Sequence, residues 1–439
     1  LEPGGDFPLH SLHCYYHVSL FAALFHIPQV ESAPEGLLRL PNRYIITVMN
    51  PSSLRIVRRG VFLCILLFSV LGLSAEETPE PIRIGASLSL TGSYKGPSRM
   101  IYDAYLLWER HVNQTGGLLN RPVELIIIDD ESDPFLSRDI YKQLISEYEV
   151  DLVLSPYGTP ITTAATEITE KEKMVMIACG ASGEQIWKRG YRYVFGMYAL
   201  AKRYFIGFLD LMAREGFEDV GIVYENNIFN TDAAIGAVTW AHKLGVAITH
   251  LISFNYPSAD LESIIRECAE QPPDGLIFCT YPQAGYEFLE ILAKREFKPK
   301  ATAMTIIPVH PQFAENAGAV SANIFAPSQW EPVERIPFPG TIQFLQEFIQ
   351  FAGHEPSYHA TSAYSSCIIL EKAVRAVRSL EQEKIRDFIV SLDTVTALGR
   401  FKCDYTGRQI GHNPLTIQWQ DGEKQIVYPS NLRTAEPRF

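Results

Sequence analysis

Residues 82–134 read IRIGASLSLTGSYKGPSRMIYDAYLLWERHVNQTGGLLNRPVELIIIDDESDP. The β-rich run 82–90 closes on Thr91-Gly92-Ser93. Beyond it, Ile101, Tyr105, Trp108 and Val112 follow at spacings of four, three and four, which places them on one face of a helix. Gly116-Gly117 ends that helix, because glycine reaches left-handed dihedrals without a Cβ penalty. A second apolar run, 123–128, then meets Asp129-Asp130-Glu131. Strand, helix and strand in this order make one unit of an α/β sheet. The polar, glycine-containing loop falls at the carboxyl end of the first strand, the edge where open α/β sheets bind ligands.

The same alternation continues outward. Helical patterns near 136–147 and 162–171 interleave with strand patterns at 150–154 and 174–178. A second series has helices at 205–214, 231–244, 259–268 and 284–295, with strands at 220–224, 246–253, 275–279 and 301–307. Such alternation predicts right-handed crossovers and mostly parallel sheets with helices on both faces. Two series imply two sheets. Gln329-Trp330-Glu331-Pro332, with Pro337 and Pro339 beyond, reads as a passage between them.

Toward the N-terminus, Arg55, Arg58 and Arg59 precede the apolar stretch 61–73, and Leu73-Ser74-Ala75 offers a small-residue cleavage site. The stretch is shorter than the roughly 20 residues a membrane span needs. The expectation is a secretory signal over 49–75 starting at Met49, with an uncleaved anchor as the alternative. Residues 1–48 carry no sustained period and read as an upstream segment outside the mature protein. The net charge of −12 disfavours nucleic acid and anionic membranes as partners. Beyond residue 75 stand Cys179, Cys268, Cys279, Cys367 and Cys403, an odd number without a CxxC pair; the middle three sit in apolar patterns and read as buried thiols.

Catalytic patterns are missing. Gly180-Ala181-Ser182-Gly183 is one residue short of a nucleophile elbow, Gly92-Ser93-Tyr94-Lys95-Gly96 lacks the phosphate-loop spacing, and no HExxH or GxGxxG occurs. Asp129, Glu131 and Asp133 alternate as in a calcium loop but lack its glycine and terminal glutamate, so they read as a strand end and a helix cap. No enzyme, cofactor or metal is expected. Two polar loops remain: 155–160 (SPYGTP) and 179–183 (CGASG). Each sets a hydroxyl and free N–H groups at a helix start, where unpaired amides and the helix dipole favour a carboxylate.

The motifs ASLSLTG and GGLLNRPVELIIIDDESDP, with these two loops, resemble the type I periplasmic solute-binding proteins, in the branch of leucine/isoleucine/valine receptors of ABC importers. The resemblance covers most of residues 82–430 and implies two α/β lobes hinged by several crossovers. The implied division gives lobe 1 residues 81–198 and 329–410, and lobe 2 residues 199–328 with a tail at 411–434. It also implies that Thr159, Ala181 and Ser182 hold a ligand carboxylate. Gly158 stands where a serine is common. Tyr94, Tyr157, Tyr224, Phe229, Tyr281, Gln283 and Trp330 are the expected remainder of the pocket. One departure is visible: residues 304–310 (MTIIPVH) contain no acid where amino-acid-binding relatives pair the ligand's ammonium. Either another acid, such as Glu225, serves, or the ligand has no ammonium. The implied function is periplasmic capture of a small organic solute by a soluble monomer for an importer's permease; a sensory module that presents its ligand to a membrane receptor or kinase is the alternative.

Overall fold

The computed structural model describes residues 79–439 except 296, 334, 335 and 337. The expected signal over 49–75 and the upstream segment 1–48 lie outside the described residues.

The quoted stretch forms β1 (Ile82–Leu88), α1 (Lys95–Gln114) and β2 (Val123–Asp129). Then come α2 (Pro134–Ser146), β3 (Leu152–Val153), α3 (Thr159–Lys171), β4 (Met176–Ala178) and β5 (Val194–Gly196). The central strand β1 pairs in parallel with β2 on one side and β3 on the other. Its Ile82, Ile84, Ala86 and Leu88 are buried, and so is Ser87 on the opposite face. Burial on both faces is what a parallel sheet covered by helices requires. Gly117 shows why the first helix stops where it does: its φ is +75°, and a Cβ there would stand 1.9 Å from the Arg121 carbonyl oxygen.

A second series follows: α4 (Ile206–Arg214), β6 (Asp219–Glu225), α5 (Ile228–Leu244), β7 (Ala247–Phe254), α6 (Leu261–Glu270), β8 (Gly275–Cys279), α7 (Pro282–Lys294), β9 (Ala301–Met304), α8 (Phe313–Ala317) and β10 (Ile324–Ser328). The remaining elements are α9 (Thr341–Ala352), α10 (Tyr358–Val377), α11 (Gln382–Ser391), β11 (Asp393–Val395), β12 (Arg400–Lys402), β13 (Leu415–Gln420) and β14 (Glu423–Tyr428). The second sheet has seven strands in the order β14-β13-β10-β9-β8-β6-β7. Strands β6 to β10 run parallel, and β13 and β14 join the edge antiparallel.

β4-β5 and β11-β12 pair as two-stranded sheets of their own, and the chain enters the seven-stranded sheet's series after β5, leaves it after β10 and rejoins it after β12. α10 returns to the first sheet's side, where it packs along α1: Trp108 Nε1 donates to Glu371 at 3.0 Å, and Arg375 donates to the Gly117 carbonyl at 2.9 Å. The three passages are tied to each other. The Gln329 side chain exchanges hydrogen bonds with the Ala199 backbone (3.1 and 3.4 Å). Gln409 Nε2 donates to the Met197 carbonyl at 3.3 Å, and Gly196 N donates to the Gly407 carbonyl at 2.8 Å. All five cysteines beyond residue 75 are buried free thiols. Among the described residues no helix is long and apolar enough to cross a membrane.

Candidate functional site

The acids after β2 fix the first loop. Asp129 accepts from Leu90 N (2.9 Å), Thr91 N (3.2 Å) and Thr91 Oγ1 (2.8 Å). Buried Asp130 accepts from the hydroxyls of Ser87 (2.9 Å) and Ser89 (2.5 Å). Asp133 caps α2 by accepting from Phe135 N and Leu136 N. None of these carboxylates is left to bind a cation by itself. Their effect is to hold the turn that carries Tyr94.

The two polar loops lie side by side. Tyr157 and Gly180 form an isolated parallel bridge, and Gly158 N donates to the Gly180 carbonyl at 3.2 Å. Gly158 has φ +84° and ψ 144°, a backbone only glycine adopts freely, and it sets Thr159 at the first position of α3. Thr159 Oγ1 accepts from Ser182 N (3.3 Å) and Gly183 N (3.2 Å). Ser182 Oγ accepts from the Tyr204 hydroxyl at 3.0 Å. Both hydroxyls thus spend lone pairs on protein donors, and neither gives its own proton to an acceptor among the described residues. Two hydroxyl protons and a helix N-terminus converge there, an acceptor-seeking arrangement that suits a carboxylate.

A cavity of about 10 Å³ lies against these groups, room for about one water. Tyr157, Thr159, Gly180 and Ser182 line it from the two loops; Phe229, Tyr281 and Ile306 line it from the second sheet's side. Tyr198, Tyr204, Tyr358 and His359 complete it. The phenol oxygen of Tyr281 lies against the Thr159 backbone N–H. Its ring also packs on that of Tyr94, 4.5 Å between centroids. A neutral phenol of the second lobe therefore sits at the helix start where an anion would be held. Burial holds every one of these phenols in its neutral form; that of Tyr204 is pushed up to about 12.

Of the residues expected from sequence, Tyr157, Thr159, Ser182, Phe229 and Tyr281 meet on this cavity. Tyr94 packs on Tyr157 and Tyr281 at its rim, and Gly158 faces the same two rings, Tyr94 and Tyr281. Ala181 is buried behind the loop with Ile186 and Trp187. Three residues stand apart. Tyr224 is half-buried within the β6 ladder, Gln283 lines a surface depression with Gly92 and Lys95, and Trp330 packs on Phe344 at a passage between the sheets. The structure adds Tyr198, Tyr204, Ile306, Tyr358 and His359. Of these, Ile306 falls in the stretch 304–310 that the sequence singled out; nothing in the local sequence marks the others. Ile306 carries φ +63° and ψ −66°, strain for a β-branched residue held right at the cleft. Glu225, the alternative acid, accepts from Tyr281 N at 3.1 Å and from Asn230 Nδ2 at 3.5 Å, and burial raises its pKa.

A model of the periplasmic binding protein family matches residues 81–424. Leu/Ile/Val-binding protein homolog 8 of Brucella abortus is 24% identical over 354 residues, covering 75% of this chain and 85% of that protein. Homolog 7 of Brucella suis is 21% identical over 353 residues, covering 75% and 86%. Among solved structures, the branched-chain amino acid transporter substrate binding protein LivJ from Streptococcus pneumoniae, in complex with isoleucine, superposes with a TM-score of 0.70 at 16% identity over 80% of this chain and 100% of that one. An ABC transporter solute binding protein from Rhodopseudomonas palustris, in complex with benzoate, gives a TM-score of 0.71 at 16% identity over 81% and 98%. At these identities the likeness establishes the fold.

Proposed function

The chain belongs to the periplasmic binding protein family, and we propose that it captures a small carboxylic acid between its two lobes, outside the cytoplasm, for delivery to the permease of an ABC importer. The observation that carries this reading is the donor set at the start of α3. Thr159 Oγ1 accepts from two amides and Ser182 Oγ from the Tyr204 hydroxyl, while neither proton has an acceptor among the described residues, so the site favours a group that accepts. An ionised carboxylate is such a group. The work is binding and lobe movement, and no bond of the solute is broken.

The cleft as it stands is far too small for an organic solute. Entry requires the lobes to part, which separates Tyr281 from Thr159 and Tyr94. The ligand's carboxylate then takes the phenol's place on the helix start, and the second lobe closes over the ligand body. Closure follows only from a difference in affinity between the open and closed forms. Moving the lobes from one to ninety-nine per cent closed takes about 5.5 kcal/mol. Charge-assisted hydrogen bonds and burial of an apolar body are of that order.

An α-ammonium has no fixed partner here. Residues 304–310 carry no acid. Glu225 already holds Tyr281 N and Asn230, and its raised pKa weakens it as a counter-charge. The tyrosines offer flat surfaces for an aromatic or extended apolar body. We therefore favour an aromatic or aliphatic acid over a branched-chain amino acid. Calorimetry on matched pairs tests this: phenylalanine against its deaminated analogue, and leucine against its own. Tighter binding of the amine-free partners is expected. Tighter binding of the amino acids, lost on Glu225→Gln, would show that the ammonium is recognised.

A further inference from the structure

Two polar atoms in the cleft wall take no part in the carboxylate site. They are the Tyr198 hydroxyl and His359 Nε2. Both side chains line the small cavity, both are 3% exposed, and neither atom has a hydrogen-bond partner among the described residues. A buried polar atom without a partner is costly, because it has given up water for nothing. Neither ring is placed to turn away and find one. His359 stacks on Tyr358 at 4.2 Å between centroids and meets Tyr157 edge-on at 5.2 Å. Tyr198 meets Tyr358 edge-on at 5.3 Å.

The polarity of the pair follows from Ser357. Its Oγ accepts from His359 N at 3.3 Å and lies 3.0 Å from His359 Nδ1. The Ser357 proton has no other acceptor among the described residues, so it goes to Nδ1. The ring's own proton is then on Nε2. Burial holds the His359 pKa down to about 3, so the ring is neutral at ordinary pH. Two neutral donors, Nε2–H and the Tyr198 O–H, thus face one cavity. They match an oxygen without charge. A second carboxylate would need a fixed cation to repay its desolvation, and among the described residues no Lys or Arg lines this cavity. An ammonium would find no acceptor on a donating Nε2.

We propose that Tyr198 and His359 form a second recognition point that reads an uncharged oxygen, a hydroxyl or a carbonyl, on the body of the ligand. This rests on the reading of Thr159 and Ser182 as the carboxylate site. It narrows the ligand class to hydroxy- and oxo-substituted carboxylic acids.

Calorimetry on the purified exported chain tests it with benzoate, the monohydroxybenzoates, pentanoate, its oxo and hydroxy derivatives, and glutarate. At least one oxygenated acid should bind about tenfold tighter than its unsubstituted parent, the effect of one well-made hydrogen bond in a buried site. Tyr198→Phe and His359→Phe should each lower affinity for that acid about tenfold more than for its parent. Tyr198→Phe removes only an oxygen that bonds nothing, so its melting temperature should not fall. Equal binding of parent and oxygenated acids, an advantage that survives both substitutions, or glutarate as the tightest ligand would each overturn the proposal. If acids bind but the oxygen is not read, the second recognition point alone is wrong. If no acid binds, the carboxylate reading falls and takes this one with it.

Discussion

Thr159 Oγ1 accepts from two amides of the neighbouring loop, whereas Ser182 Oγ accepts only from the Tyr204 hydroxyl. The two residues therefore differ in what their loss should do. Ser182→Ala should weaken acid binding by about 1–3 kcal/mol, the worth of a hydrogen bond to a charged group, with a smaller fall in melting temperature than Thr159→Ala, because one buried hydroxyl, that of Tyr204, loses its acceptor. Thr159→Ala should weaken binding similarly and also lower the melting temperature, because two buried amides lose their acceptor. Calorimetry and thermal unfolding on the same samples separate the two effects; equal titrations for wild type and Ser182→Ala would refute the anion site. At this scale the sequence was readable only in part. Thr159 and Ser182 stand in short loops at helix starts, a pattern with a physical reason behind it. Tyr198, Tyr204 and His359 come from a passage between the sheets and from the start of a distant helix. Nothing in their local spacing marks them, because only tertiary folding brings them to one wall.

Among the elements, α3 shows how a sequence comparison and a backbone can point in different directions. Gly158 stands where a serine is common, which reads as a lost hydroxyl. Its φ of +84° with ψ of 144° reads otherwise: a side chain there is strained even though the nearest atom to an added Cβ, the Tyr281 phenol oxygen, is 3.6 Å away. Gly158→Ser should therefore destabilise the fold by about 1–3 kcal/mol rather than restore a ligand contact. Thermal unfolding checks the first part and calorimetry the second. The helices and central strands were legible because apolar runs and glycine stops are local signals. β3 was harder: the apolar run 150–154 predicts a longer strand, yet only Leu152 and Val153 form the ladder, opposite Ile84 and Gly85 of β1. The antiparallel edge β13-β14 could not be told from a parallel one by composition, since pairing direction is a matter of chain path.

For the molecule as a whole, buried His359 and His412 and half-buried His310 set a pH dependence. Burial pushes His359 down to about 3 and both His310 and His412 down to about 4, from an ordinary value near 6.5. In the unfolded chain they take up protons as pH falls through about 6.5; in the folded chain they do not until about 4 or below. The unfolded state binds more protons in that window, so their contribution to stability is complete above about 6.5 and is lost as pH falls, by up to about 1.4 kcal/mol per pH unit for each. The buried carboxyls of Asp130 and Glu225 are raised, again by burial, and act in the opposite sense. A difference measurement isolates one histidine. Between pH 7 and 5, wild type should lose stability relative to His359→Gln in chemical denaturation. A gap that does not change with pH would mean that His359 titrates normally in the folded protein.

The three passages between the lobes, laced together through Gln329 and Gln409, resemble a door hung on three pins. One pin allows a panel to swing, twist and sag; three joined pins restrict it. If the passages restrict the lobes to one path of travel, every cargo that fits brings them to a similar final outline. A membrane partner can in that case recognise a shut door by its outer shape, without inspecting what is behind it.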